Sequence, residues 1–239
     1  MSKPRHNKTT KVNKILIILG VEGCGHHGLR AICFDIFLQR LKDNSGIINE
    51  LIFKRNEIIS HPSLTTSNLD SNPPKVNLQK FFAKCDADII LRDCSYPYRQ
   101  QRNVNMFGSL LKFYKDLSEF TEVRVLHLKR NIFNTINSHR NWDGGLLNHT
   151  KVICEFDNYL TNETSTLRSN NIKVHELNYE DIPTKKGIET ISSFLSVNSE
   201  VVETSIKLVF KTSQKDFKQL LNNQQVNSMT TILNHYNIT

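Results

Sequence analysis

The stretch Ile15-Leu-Ile-Ile-Leu-Gly-Val-Glu-Gly-Cys-Gly-His-His27 decides the fold. Its five leading apolar residues predict a buried strand, and the glycines that follow predict a tight loop into a helix. Gly20, Gly23 and Gly25 permit positive φ angles and close backbone approach, so successive N–H groups can converge on an anion. The N-terminal dipole of a helix that begins near Gly25 favours the same ligand. We therefore predict that this loop binds a phosphate group.

The spacing of the loop, Gly20-x-x-x-x-Gly25, matches a P-loop, but the Lys-Ser/Thr of that motif is replaced by His26-His27. The replacement removes the lysine that clamps the β- and γ-phosphates and the hydroxyl that binds magnesium. An ordinary glycine-rich turn is the alternative interpretation. The position directly after the first strand favours phosphate binding, although the loop alone does not identify the phosphate.

Composition predicts a single α/β domain in a reducing compartment. The chain has 239 residues, 38% of them hydrophobic, which is enough for a real core. Its five cysteines are odd in number and form no Cys-x-x-Cys pair, which argues against a disulfide framework or a zinc site. No apolar run approaches the about 18 residues of a membrane span, and no signal peptide is recognisable. We expect a cytoplasmic protein without a membrane partner.

The net charge of +8 is concentrated at the head of the chain. Residues 1–14 contain five basic residues and no acidic one, which predicts a basic disordered tail. The remaining residues, 15–239, are predicted to form the single domain and are nearly balanced in charge. A near-neutral body with one anion-binding loop fits an anionic small molecule better than a nucleic acid, so no nucleic-acid partner is expected.

Short apolar runs alternate along the chain with longer segments of helical period. This alternation predicts βαβ units and a three-layer, mostly parallel sheet flanked by helices, like that of P-loop NTPases. Ligands of such sheets bind at the carboxyl ends of the strands. A polar stretch with three prolines, 61–75, is predicted to be a long loop. The predicted strands are Ile15–Leu19, Gly46–Phe53, Asp88–Leu91, Val123–Leu128 and Ile172–Leu177, and the predicted helices are about 26–42, 77–85, 104–120, 131–141, 149–169, 185–195 and 223–236.

A second candidate anion site follows the strand Val123–Leu128. Lys129 and Arg130 come directly after it, and Ser138 lies eight residues beyond the arginine. Arg130 at this strand end can reach an anion, and Ser138, about two helical turns on, lies on the same helix face. The alternative is a helix that simply begins with surface charge.

These blocks resemble the sulfotransferase family, whose members use 3'-phosphoadenosine 5'-phosphosulfate (PAPS). In that family a loop of the Gly-Thr-Thr type binds the 5'-phosphosulfate, and a later Arg, with a Ser eight residues on, binds the 3'-phosphate. By this resemblance, Arg130 and Ser138 would bind the 3'-phosphate. A third block, Lys173–Ile182, is similar to the family's strand that ends in Tyr-Glu-Asp. Together the blocks span about residues 13–210. By the same resemblance, the 5'-phosphosulfate would bind to Gly23, Cys24, Gly25, His26 and His27.

The resemblance implies transfer of a sulfuryl group from PAPS to a hydroxyl or amine of a small-molecule, glycan or peptide acceptor, without a metal. His26 would donate toward the bridging oxygen as its bond breaks. Most family members carry a lysine or arginine where this chain has Gly23, and they carry threonines in place of the paired histidines. One loop cation is therefore missing, and other side chains must supply positive charge. The candidates are His26, His27, Arg30 and Lys129.

The general base stays open among three carboxylates. Asp93 follows the predicted strand that ends at Leu91. Glu50 lies about as far past the glycine loop as the glutamate that some family members use, and Glu22 belongs to the loop itself. Each also has a plainer interpretation, as a helix cap, a surface charge or an ion-pair partner. His127 and His175 lie on apolar strands, where a histidine is more often structural than catalytic. The predicted catalytic residues are thus His26, Glu22 and Asp93.

Two other functions compete with a sulfotransferase. A P-loop kinase of small molecules would use the same fold, but the missing Lys-Ser/Thr counts against it. A nucleotide-binding protein without catalysis is the other alternative, and the glycine at position 23 is the best argument for it.

Overall fold

Four parallel strands organise the chain in a computed structural model that describes residues 14–43, 89–97, 102–210 and 221–238. The strands form one sheet in the order β2-β1-β3-β4, and every neighbouring pair is parallel. Helices pack against this sheet, which confirms the predicted α/β class with a parallel sheet flanked by helices. The strands are β1 (Lys14–Val21), β2 (Ile89–Tyr96), β3 (Glu122–Lys129) and β4 (Lys173–Asn178).

The helices form two packed groups. In one group α1 contacts α6, and α6 contacts α5; in the other, α4 contacts both α2 and α7. The helices are α1 (His26–Asp43), α2 (Leu110–Ser118), α3 (Ile132–Asn137), α4 (Leu146–Ser169), α5 (Lys185–Leu195), α6 (Ser199–Val209) and α7 (Asn223–His235).

Strand β1 is the centre of the core. It pairs with a neighbour on each side, so that Leu16 lies opposite both Leu91 of β2 and Arg124 of β3. Side chains on both of its faces are covered, and none of the five residues from Ile15 to Leu19 is more than 3% exposed. Burial on both faces explains why this strand is a continuous apolar run rather than an alternating one.

The predicted helix 131–141 is shorter than expected. Helix α3 begins after Asn131, whose side chain accepts hydrogen bonds from the backbone N–H groups of the next turn, and it ends at Asn137. The chain then enters a 3₁₀ turn at Trp142–Gly144, in which Asp143 has a φ of +57°. A left-handed residue cannot continue an α-helix, so a new helix, α4, begins at Leu146 rather than at the predicted 149.

Two other helical segments also differ from the prediction. The predicted helix 104–120 is interrupted at Phe107, where the backbone is extended, so a short 3₁₀ turn precedes α2. Ser109 then caps α2. Helix α6 was not among the predicted elements; the side chain of Asn198 caps its first turn.

Several predicted elements lie outside the described residues. They are residues 1–13 of the predicted basic tail, the strand 46–53, the helix 77–85 and the polar loop 61–75. Within the described part of the chain, no helix is long and apolar enough to cross a bilayer.

His127 lies on β3 beneath α4. Its side chain is 1% exposed, and its Nδ1 lies 3.3 Å from the hydroxyl of Thr164 on α4. Burial, with a smaller contribution from the positive charge of Lys129, lowers the pKa of His127 to about 4. The ring is therefore neutral at pH 7 and part of the core.

We predict that His127 makes the protein sensitive to acid. The unfolded chain takes up a proton near pH 6.5 and the folded chain only near pH 4, so the free energy of unfolding falls by about 3 kcal/mol through this window. Urea unfolding of the wild type and of His127→Gln between pH 7 and pH 4 measures the effect. The variant should lose this component of the pH dependence; identical slopes for both proteins would contradict the assignment.

Candidate functional site

The glycine loop, Glu22–Gly25, connects β1 to α1. Gly23 and Gly25 have φ angles of +88° and +100°, which residues with a side chain rarely adopt. The N–H of Glu22 bonds to the carbonyl of Tyr96 at 2.5 Å, which ties the loop to the carboxyl end of β2. Helix α1 begins directly after the loop, at His26. The predicted order of strand, loop and helix is therefore present.

Two distant segments pack directly against the loop. A Cβ atom at Gly25 would overlap the ring of Tyr179, which follows β4. A Cβ atom at Gly23 would overlap the Ser138 hydroxyl and would lie 2.5 Å from the carbonyl oxygen of Thr135. Glycine at these two positions therefore allows the carboxyl ends of β1, β3 and β4 to meet.

Arg130 joins the same three segments. Its Nη1 donates to the carbonyl of Gly23 at 3.0 Å, and its guanidinium carbon lies 4.8 Å from the centre of the Tyr179 ring. The backbone N–H of Asn131 donates to Glu180 at 3.1 Å. The three sequence blocks that carry the resemblance thus meet at one place, although even the nearest two, at Ser138 and Lys173, are 35 positions apart.

Ser138 stands at the accessible edge of this place. Ser138 is exposed to solvent, and its hydroxyl donates to the carbonyl of Thr135 at 2.8 Å. The Nδ1 of His139 lies 2.9 Å from the same hydroxyl. Ser138 is therefore positioned to contact a ligand while it remains fixed by its own helix.

A buried cluster of charges lies around the first turn of α1. The Nδ1 of His26 is 2.5 Å from one oxygen of Asp93, and Nη1 of Arg30 is 3.3 Å from the other. A second nitrogen of Arg30 lies 2.7 Å from Nδ1 of His27. His26 is 5% exposed, and the thiol of Cys24 is fully buried beside it. The imidazole therefore helps to hold the loop in place.

The electrostatics of this pair favour its ionised form. Burial alone would lower the pKa of His26, but the neighbouring Cys24 and Asp93 outweigh burial and raise that pKa well above its ordinary value. Burial would raise the pKa of Asp93, but His26 and Arg30 outweigh it and lower that pKa. The first turn of α1 therefore carries a positive charge whose counter-ion comes from β2.

Glu22 belongs to a separate chain of contacts that the sequence did not reveal. Its carboxylate lies 2.6 Å from Nη1 of Arg102, and Nε of Arg102 lies 2.6 Å from Asp143. Asp143 in turn lies 2.8 Å from Nδ1 of His149. A Trp-Asp-Gly-Gly stretch predicts a turn, but it gives no sign of an ion pair with a residue 41 positions earlier.

Glu22 and Asp93 differ in their proton affinity. Burial raises the pKa of Glu22, and the opposing effect of Arg102 is smaller. The pKa of Asp93 is lowered, as described above. Of the two described carboxylates predicted as bases, Glu22 therefore holds a proton more readily.

The other predicted residues lie farther from the loop or outside the description. Lys129 is 3.9 Å from Glu176 of β4. His175 is partly buried next to the ring of Phe194. Glu50 lies outside the described residues. Among the residues that the structure describes, no group of His, Cys, Asp and Glu side chains could hold a metal ion.

Known proteins are similar to this chain in structure only. Comparisons with models of protein families and with curated sequences give no match. Two of the solved structures that are similar to this chain each share 13% sequence identity with it. The sulfotransferase domain of the Synechococcus PCC 7002 olefin synthase matches with a TM-score of 0.51, over 100% of this chain and 98% of the domain. The sulfotransferase domain of the curacin biosynthetic pathway matches with a TM-score of 0.53, over 95% and 99% respectively.

These matches establish the fold. The described part of the chain has the α/β architecture of sulfotransferase domains. At this level of identity, the roles of single residues have to be argued from their own geometry.

We predict opposite effects for alanine at two neighbouring glycines. Gly25→Ala should lower the free energy of unfolding by about 2 kcal/mol or more, because a left-handed backbone and the Tyr179 ring both oppose a side chain. Gly28→Ala is the matched control. It lies within α1, where a Cβ atom would meet its neighbours at 3.4 Å or more, and helix propensity favours alanine by up to about 1 kcal/mol. Urea unfolding of both variants tests this; equal stabilities would contradict it.

Proposed function

We propose that this protein is a PAPS-dependent sulfotransferase that transfers a sulfuryl group to a hydroxyl or amine of a small-molecule, glycan or peptide acceptor. One observation carries the proposal: Arg130 and Ser138 both contact Gly23 of the glycine loop, from a segment more than 100 residues away. A loop for one phosphate with an Arg–Ser pair beside it suits a ligand with two separate anionic groups. We further propose that the protein acts in the cytoplasm, on the grounds of its cysteine content.

The residues around the loop fit both anionic ends of PAPS. Positive φ angles at Gly23 and Gly25 suit a loop that binds an anion through backbone N–H groups, and the dipole of α1 adds to the attraction; the N–H of Cys24 itself donates to the carbonyl of Val21. The 5'-phosphosulfate would bind there, to residues from Gly23 to His27. The 3'-phosphate would bind to the guanidinium of Arg130 and to the exposed hydroxyl of Ser138.

His26 supplies the positive charge that the loop otherwise lacks. No lysine or arginine occupies the loop, and the raised pKa of His26 keeps its buried ring protonated at neutral pH. Its Nδ1 faces Asp93 and its Nε2 is also buried, next to Cys24, so His26 would act on the bound anion through its charge rather than by direct donation toward the bridging oxygen. Asp93 is then a positioning residue for His26. Two cations already bind it, and its lowered pKa makes it a poor proton acceptor.

Glu22 is the general base in this mechanism. When bound, PAPS supplies the sulfuryl group, which passes from the phosphate to the acceptor oxygen or nitrogen. Glu22 lies in the loop itself, and burial raises its pKa, which strengthens it as a base. It takes the acceptor's proton as the new bond to sulfur forms.

Calorimetric titration tests the nucleotide specificity. We expect adenosine 3',5'-bisphosphate to bind with a micromolar dissociation constant. Arg130→Ala should weaken that binding by about 10- to 100-fold, because it removes a charge-assisted hydrogen bond worth about 1.5–3 kcal/mol. Arg168→Ala is the matched control, since Arg168 pairs with Glu176 at the surface and is half exposed.

The same titration with ATP and magnesium separates the alternatives. Tight magnesium-dependent ATP binding with none of the bisphosphate would contradict the proposal and favour a P-loop kinase. Catalysis requires its own measurement, transfer from ³⁵S-labelled PAPS to a panel of phenols, sugars and amines. Bisphosphate binding without any transfer or sulfate release would favour a nucleotide-binding protein that has lost catalysis.

A further inference from the structure

We propose that Arg102 is a positioning residue that holds Glu22 in the orientation and charge state of a general base. The proposal rests on the proposed function, because Glu22 acts as the base only in that mechanism. It assigns a role to Arg102, Asp143 and His149, a group of side chains that the binding of PAPS does not use.

Arg102 connects the glycine loop to a fixed point elsewhere in the fold. Its Nη1 contacts Glu22 at 2.6 Å, while its Nε and Nη2 contact the two oxygens of Asp143. The paired contacts with Asp143 fix the plane of the guanidinium, and Nη1 in that plane then defines the position of the Glu22 carboxylate. All three side chains are at least four-fifths buried, since their exposed fractions are 19%, 12% and 10%.

Asp143 is itself held rigidly. It has a left-handed backbone in the turn before α4, and its carboxylate bonds to Nδ1 of His149 at 2.8 Å. His149 lies in the first turn of α4, a helix of 24 residues, and its side chain is fully buried. The contacts thus run from Glu22 in the loop to His149, which is anchored in the core.

The indole of Trp142 lies beside Arg102 and is itself in contact with the ring of His139. The guanidinium carbon of Arg102 lies 5.4 Å from the centre of the indole, and the His139 ring lies 4.2 Å from the same indole. A cation over an aromatic face is attracted to it and restricted in its motion. Arg102 therefore has little freedom to turn away from Glu22.

The charges of the group suit proton transfer. One guanidinium faces two carboxylates, Glu22 and Asp143, so the three groups together carry one surplus negative charge when both acids are ionised. A proton taken up by Glu22 neutralises that surplus. The groups that face Glu22 are Arg102, Asp143 and His26; burial and Asp143 favour its protonated form, and the two cations favour the carboxylate.

The step balances as follows. The acceptor oxygen forms its bond to sulfur as the bond between sulfur and the 5'-phosphate oxygen breaks, and the electron pair of that bond leaves with adenosine 3',5'-bisphosphate. The hydroxyl proton of the acceptor goes to the carboxylate of Glu22. Arg102 neither gains nor loses a proton, which is why it is a positioning residue and not a catalytic one.

The test compares Arg102→Met with Arg124→Met. Arg124 is the matched control, because it is also largely buried and pairs with Glu122, but at the start of β3, the end of the strand away from the loop. We measure kcat and KM for transfer from ³⁵S-labelled PAPS to 2-naphthol, or to water as sulfate release, from pH 5 to pH 9. Binding of adenosine 3',5'-bisphosphate is measured in parallel by calorimetry.

For Arg102→Met we expect kcat at pH 7 to fall about 100-fold, with bisphosphate affinity changed less than about threefold. The acidic limb of the plot of rate against pH should move to higher pH by about one unit, because the cation that lowers the pKa of Glu22 is gone. Arg102→Lys should restore the acidic limb more fully than it restores kcat, since lysine keeps the charge but not the planar contacts. Arg124→Met should leave kcat and the limb unchanged.

Three outcomes separate the two proposals. Failure of the wild type to bind the bisphosphate would overturn the proposed function. A wild type that turns over, with Arg102→Met unchanged in kcat and acidic limb, would overturn the positioning role alone. If the wild type binds the bisphosphate but transfers nothing, ¹³C NMR titration of glutamate-labelled protein decides, with Glu22→Gln identifying the resonance. An equal pKa of Glu22 in wild type and Arg102→Met would then overturn the role.

Discussion

The site depends on backbone approach at two glycines. Where Gly23 and Gly25 lack a side chain, the Ser138 hydroxyl and the Tyr179 ring occupy the space, and these residues come from segments that follow two different strands. Arg130 then bonds to the carbonyl of Gly23 and lies over the same ring. The glycines thus contribute more than a flexible turn. They bring the ends of three strands together, and every later feature of the site is built on that meeting point.

Charge at the site is divided between two groups that do not share a counter-ion. Asp93 binds the cations at the first turn of α1, and Asp143 binds Arg102 on the side of Glu22. Asp93 favours the protonated form of His26, and Asp143 fixes the guanidinium of Arg102, which pairs with Glu22. Burial strengthens both interactions, because little water is present to screen them. The arrangement is consistent with an acid and a base held apart in one small site.

Local patterns predicted the elements, and only the fold could reveal the ion pairs. The apolar run of β1, the loop glycines and the spacing from Arg130 to Ser138 are short-range features, and each can be recognised within about ten residues. Asp93 was predicted to follow a strand that ends at Leu91, but it lies within β2, opposite Ile18 of β1, and its pairing with His26 depends on β2 lying next to β1. The contact between Arg102 and Asp143 is harder still to predict, because it requires a left-handed turn whose conformation the sequence does not specify.

The packing of Tyr179 on the loop also limits which substitutions this site can accept. A lineage that acquired a side chain at position 25 would have to lose the aromatic ring at position 179, and with it the surface on which Arg130 rests. Substituting a lysine for His26, as in an ATP-binding loop, would likewise leave Asp93 without its imidazole partner. The loop, the arginine and the tyrosine are therefore expected to change together or not at all. A change of this site would require coordinated replacement at several positions, so single substitutions offer no gradual route to it.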